Sequence, residues 1–132
     1  MQCVSHEQEV SMAFIRACAV LRMRDFSFHA MRGREAGGVN TKRAYILGHT
    51  SLKNKTVTID IYTAKKRKPK KVSAILAVIA HELAHHQKPP YRERFRGHWI
   101  NRIHFPAFYR HVNTNIARFK KDAVLGKYYT FH

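Results

Sequence analysis

The chain has 132 residues, 45% of them apolar, and sets 25 Lys and Arg against 8 Asp and Glu, a formal charge of +17. That length is enough to bury one hydrophobic core but not two, so a single domain over 1–132 is expected. The charge excludes a neutral surface and points to a polyanionic partner, nucleic acid before anionic membrane. No run of about 18 apolar residues occurs, so no membrane-spanning segment is expected. The first residues, Met1-Gln2-Cys3-Val4-Ser5-His6-Glu7, lack the basic-then-apolar order of a secretion signal. Cys3 and Cys18 form no Cys-x-x-Cys pair, so neither a zinc ribbon nor a dithiol redox motif can be built. Both read as reduced thiols of an intracellular protein.

In chain order, Ser5 with Gln8 has the pattern of a capping box and opens a helix predicted over 6–24. Val10, Phe14, Ala17 and Leu21 recur on one face of it, and Arg16, Arg22 and Arg24 lie off that stripe as solvated charges. Gly33, Gly37, Gly38 and Asn40 mark a loop over 32–43. Residues 44–48 read as a short apolar strand. Residues 56–62 alternate, with Val57, Ile59 and Ile61 on one face and Thr58 and Asp60 on the other, as in a half-buried strand. Residues 51–55 have the length and composition of a hairpin link. A basic run, Lys65, Lys66, Arg67, Lys68, Lys70 and Lys71, leads into a nearly all-apolar helix from Val72 to about Lys88, stopped by Pro89-Pro90. Residues 91–104 read as polar and irregular. Pro106 suits the first turn of a last helix, on which Phe108, Val112, Ile116 and Phe119 recur. Tyr128, Tyr129 and Phe131 could add a strand or pack on the core. The fold class is α+β: an N-terminal helix, a small antiparallel sheet or hairpin, a central apolar helix and a C-terminal helix.

The chemistry resides in His81-Glu82-Leu83-Ala84-His85, a His-Glu-x-x-His string. On a helix, residues i and i+4 stand one above the other, so two imidazoles can grip one metal ion. Glu82 lies about 100° around the helix from His81 and can reach a metal-bound water without ligating the metal. Surface His and Glu often carry no such meaning, but here they interrupt an apolar helix, where polar groups without a partner cost roughly 1–3 kcal/mol each. Catalytic zinc takes three protein ligands and keeps one position open. Glu93, His98, His104 and His111 are the candidates for the third. His86 turns away from the ligand face. His104 is preferred, because it precedes a helix that Phe108 can lock onto the core, and His98 is its main rival.

The segment from Val78 to His85, followed by His104-x-x-x-Phe108-Tyr109, resembles the SprT-like (Spartan-type) zinc metalloproteases, members of the wider zincin group. The likeness covers roughly 44–112. It implies zinc held by His81, His85 and His104, Glu82 as general base, and cleavage of proteins at or near nucleic acid. The substrate backbone would then pair with an edge of the 44–62 hairpin. The chain departs from the family at Phe105, where Gly is usual, and in the longer stretch from His85 to His104. It also lacks the four-cysteine zinc ribbon of many members, so DNA engagement by that route is not implied.

The run 65–71 sits at the N-terminus of the central helix, where positive charge opposes the helix dipole, so helix stability does not explain it. Nucleic-acid contact, a nuclear import signal and a solvated loop are its three readings. Arg92, Arg94, Arg96 and Arg102 interleave with Tyr91, Phe95 and Trp99, a composition that can hold phosphates and stack on unpaired bases, or cap the core. The expectation is therefore an intracellular zinc endopeptidase, cytoplasmic or nuclear, acting on a protein substrate beside nucleic acid. The alternatives are a non-catalytic nucleic-acid-binding module with a structural zinc and a metal-dependent hydrolase of a non-peptide substrate.

Overall fold

Residues 5–31, 48–62 and 68–129 are described by a computed structural model of the chain. Helix α1, His6–Leu21, starts at the expected capping box: Ser5 Oγ accepts from the Gln8 amide and Gln8 Oε1 accepts from the Ser5 amide. It ends earlier than its pattern suggests. Arg22 adopts the left-handed conformation (φ 58°), and the Met23 amide donates back to the Cys18 carbonyl. Strand β1, Ser27–Met31, follows, where the residue pattern predicts no element.

β2, Gly48–Ser51, and β3, Thr56–Asp60, form a hairpin joined to β1 in a three-stranded sheet of order β1-β3-β2. The sheet is mixed, because β1 runs parallel to β3 and β2 antiparallel to it. β2 takes in Ser51, the first residue of the expected link. Of the strand predicted over 44–48, only Gly48 falls among the described residues. β3 is buried on both faces, Thr58 and Asp60 included, because it is the central strand.

Helix α2, Val72–Gln87, packs Ile75, Leu76, Ile79 and Leu83 against Val10, Phe14 and Ala17 of α1 and Val57, Ile59 and Ile61 of β3. Fully burying each such large side chain contributes about 1.5–3 kcal/mol. Residues 91–104 are not irregular. They hold a two-stranded antiparallel hairpin, β4 Tyr91–Phe95 and β5 His98–Arg102. No other helix or strand among the described residues packs against it. Helix α3, Pro106–Lys121, has its proline in the first turn and buries Phe108, Asn115 and Phe119. A 3₁₀ turn over Leu125–Tyr129 closes onto the core through Leu125. No helix of the described residues is long and apolar enough to cross a membrane.

Candidate metal centre

His81 and His85 lie one turn apart on α2, and His104 lies two residues before α3 begins. α3 packs against α2 and delivers His104 to the other two. One ring nitrogen of each of the three lies within 4.8 Å of the others. The ring centroids are 4.9 Å apart for His81 and His85, 5.2 Å for His81 and His104, and 4.9 Å for His85 and His104. The triad could hold a metal ion.

Phe108 forms the floor. It is fully buried, and its ring lies 4.5 Å from His85, 5.0 Å from His81 and 5.2 Å from His104. A rigid aromatic ring touching all three imidazoles limits their rotation, as a fixed site requires. The donor chemistry agrees: three neutral imidazoles suit zinc, copper, iron or nickel rather than a hard cation such as calcium. Burial, then the neighbouring rings of His81, His104 and His86, hold the His85 imidazole down to about 4. Burial and the His104 ring also lower His81. Both therefore keep lone pairs available at neutral pH.

Glu82 is 6% exposed and lines the same cleft. Burial pushes its carboxyl up to about 7, which a neighbouring dication opposes. The cleft, of about 380 Å³, has β2 as one wall, through Gly48, His49 and Thr50, and the two ends of the β4–β5 hairpin, Pro90 and Ile103, on the other side.

Two polar ties hold this frame, and sequence reasoning found neither. Asn115, 1% exposed, donates through Nδ2 to the Ala80 carbonyl (3.2 Å) and to Gln87 Oε1 (2.7 Å), stapling α3 to α2 on either side of the histidine pair. It falls on the Phe108–Phe119 face, so its stripe position was the one signal available. His86 does turn away from the triad, as expected. There its Nε2 lies 2.6 Å from Thr50 Oγ1, and Phe26 packs edge-on to its ring. Thr50 has one hydroxyl proton, and it goes to the Thr56 carbonyl (2.9 Å), so His86 Nε2–H is the donor. The edge strand is thereby tied to the helix that carries His81 and His85.

The other candidate ligands lie elsewhere. Glu93 is paired with Arg102 at 2.6 Å, His98 is exposed at the start of β5, and His111 is half-buried on α3 among the charges of Lys88 and Arg118. Of the basic run, Lys65, Lys66 and Arg67 lie outside the described residues. Lys68 and Lys71 are exposed, whereas Lys70 Nζ donates to the Asp60 carbonyl of β3 at 2.8 Å. Arg92, Arg94 and Arg96 are exposed on the hairpin. Arg16 is not simply solvated, since it forms a bidentate pair with Asp122. Comparison of the chain with protein-family models, with curated proteins and with solved structures finds no match in any of the three.

Proposed function

We propose that the chain is a zinc-dependent endopeptidase of the SprT-like kind, acting on proteins at or near nucleic acid. One observation carries this reading: three imidazoles converge in a cleft that also contains a buried carboxylate and is walled by the edge strand of a sheet. A purely structural metal site has no use for an acid beside the first histidine, nor for an open cleft. His81, His85 and His104 would hold the ion. When bound, zinc supplies a Lewis acid that polarises a carbonyl and acidifies water.

The protein's own residues do the rest. β2 offers its outer edge to an extended peptide, which adds to the sheet as a further strand and lies across the cleft. Glu82 takes the proton of the attacking water as that water adds to the peptide carbon, and returns it to the amine nitrogen as the C–N bond breaks. Its buried position keeps the carboxylate basic enough for that exchange near neutral pH. Phe108 and Asn115 keep His104 in register with α2.

Bound zinc and cleavage of casein or histone, with and without DNA, test the reading in the wild type, Glu82→Gln, His98→Ala and His104→Ala. Glu82→Gln should retain zinc and lose at least about 100-fold in rate, the lower bound for a general base. His104→Ala should lose zinc, and His98→Ala should keep both zinc and activity. A Glu82→Gln protein as fast as wild type overturns the mechanism. Stoichiometric zinc without cleavage by the wild type would leave a non-catalytic module.

A further inference from the structure

The β4–β5 hairpin has two chemically different faces. Directly paired residues share a face, so one carries Tyr91, Glu93, Phe95, His98, Ile100 and Arg102. On that face Arg102 is bonded to Glu93, and Glu93, Ile100 and Arg102 are half-buried, while Tyr91, Phe95 and His98 are exposed. The other face carries Arg92, Arg94, Trp99 and Asn101, all four exposed. It has no acid. Among the described residues neither Arg92 nor Arg94 has a carboxylate partner. Instead both guanidiniums lie over Trp99, at 5.1 and 6.0 Å from the ring centre. This is the chain's one tryptophan, and it is 58% exposed.

We propose that the Arg92–Arg94–Trp99 face of this hairpin is a docking platform for single-stranded nucleic acid. The inference rests on the nucleic-acid part of the function proposed above and assigns that partner a surface. An exposed indole on an arm that no other helix or strand of the described residues packs against is not core packing. Unpaired bases gain by stacking on such a ring, and phosphates by pairing with the flanking guanidiniums. Two residues along one strand separate Arg92 from Arg94 by about 6.8 Å, comparable with the distance between successive phosphates of a stretched strand. A duplex hides its base faces and offers the indole only base edges. An acidic protein could satisfy the arginines but leaves the indole without a stacking partner.

Placement gives the platform a use. The hairpin lies between His85 and His104 in the chain, its ends Pro90 and Ile103 line the metal cleft, and Tyr91 packs edge-on against Phe105 at 5.0 Å. A strand held on this arm brings whatever protein it carries to the mouth of the cleft.

Because Trp99 is the sole tryptophan, its fluorescence reports the platform directly, without any cleavage. The intact chain is titrated with a 15-nucleotide dT strand, its rU equivalent, a 15-base-pair duplex and polyglutamate of equal charge. Binding of labelled dT strand is then measured for variants by anisotropy. We expect the single strands to quench Trp99. Trp99→Ala should weaken dT binding at least about five-fold, the lower end of a base–aromatic stack, while Trp99→Phe stays within about two-fold of wild type. Arg92→Ala with Arg94→Ala should lower the salt slope by about 1.4, two phosphate contacts on a single strand. All these side chains are exposed, so unchanged circular dichroism is expected throughout.

If Trp99→Ala binds the strand as tightly as wild type, the platform is wrong although nucleic acid remains a partner. If duplex or polyglutamate quenches Trp99 as strongly as the single strands do, the single-strand assignment is wrong. If nothing binds, the platform and the nucleic-acid partner both fall, and the peptidase reading still stands or falls with Glu82→Gln.

Discussion

Gly48 stands where a methyl group has no room. A Cβ there would sit 2.9 Å from Val78 Cγ1 on α2 and 3.1 Å from the Thr58 carbonyl on β3. The glycine therefore sets how closely the edge strand approaches the helix that carries His81 and His85, and it lines the cleft itself. Gly48→Ala should push β2 outward and destabilise the protein by about 1–3 kcal/mol, the usual cost of overpacking, read as a lower urea midpoint at unchanged m-value. The sequence showed why His81, Glu82 and His85 belong together, because their spacing is local and helical. It could not show why Gly48, Asn115 or His86 matter, because each acts on a neighbour far along the chain: Asn115 on Ala80 and Gln87, His86 on Thr50.

Among the elements, the helices were the legible ones. α1 and α2 carry periodic apolar stripes, and capping at Ser5 and the Pro89-Pro90 stop bound them within a few residues. The β4–β5 hairpin escaped because Tyr-Arg-Glu-Arg-Phe has no apolar alternation, and its turn, Arg96-Gly97, lacks the usual Asn or Asp. Both turn residues nonetheless have positive φ, 50° and 83°, as a two-residue hairpin loop of this hand demands. β1 escaped because its partner, β3, is distant in the chain and parallel. Gly97→Val should cost the turn about 1–2 kcal/mol, since left-handed backbone is unfavourable for residues with a Cβ. No other helix or strand among the described residues packs on the hairpin, so the loss should stay local. Hydrogen exchange over 91–102 should quicken, while the thermal midpoint and the protection of α2 hold. Loss of α2 protection would show that the hairpin supports the core.

Across the whole molecule, the two ends of the described chain are clasped by one ion pair. Arg16 on α1 donates through Nε (2.9 Å) and Nη2 (2.7 Å) to the Asp122 carboxylate, which also accepts from the Val124 and Leu125 amides. The Arg16 hydrogen bond, helped by those amides, holds the Asp122 carboxyl down to about 2, below its ordinary 3.8. A carboxyl lowered on folding adds stability that is fully present above its unfolded value and disappears as pH falls through the folded one. The stability gap between wild type and Asp122→Asn should therefore stay constant from neutral pH down to about 4 and close towards pH 2, measured by urea unfolding at each pH. A gap that persists at pH 2 would mean that the pair contributes through packing rather than charge.

The pairing of Tyr91 directly across from Arg102 has one more consequence. The whole excursion from helix to third histidine leaves and returns through a single rung, so its length is geometrically decoupled from the positions of His85 and His104. Such a segment behaves as a socketed tool: trimmed, lengthened or exchanged beyond that rung, it would alter what the arm presents and leave the three clustered imidazoles where they are.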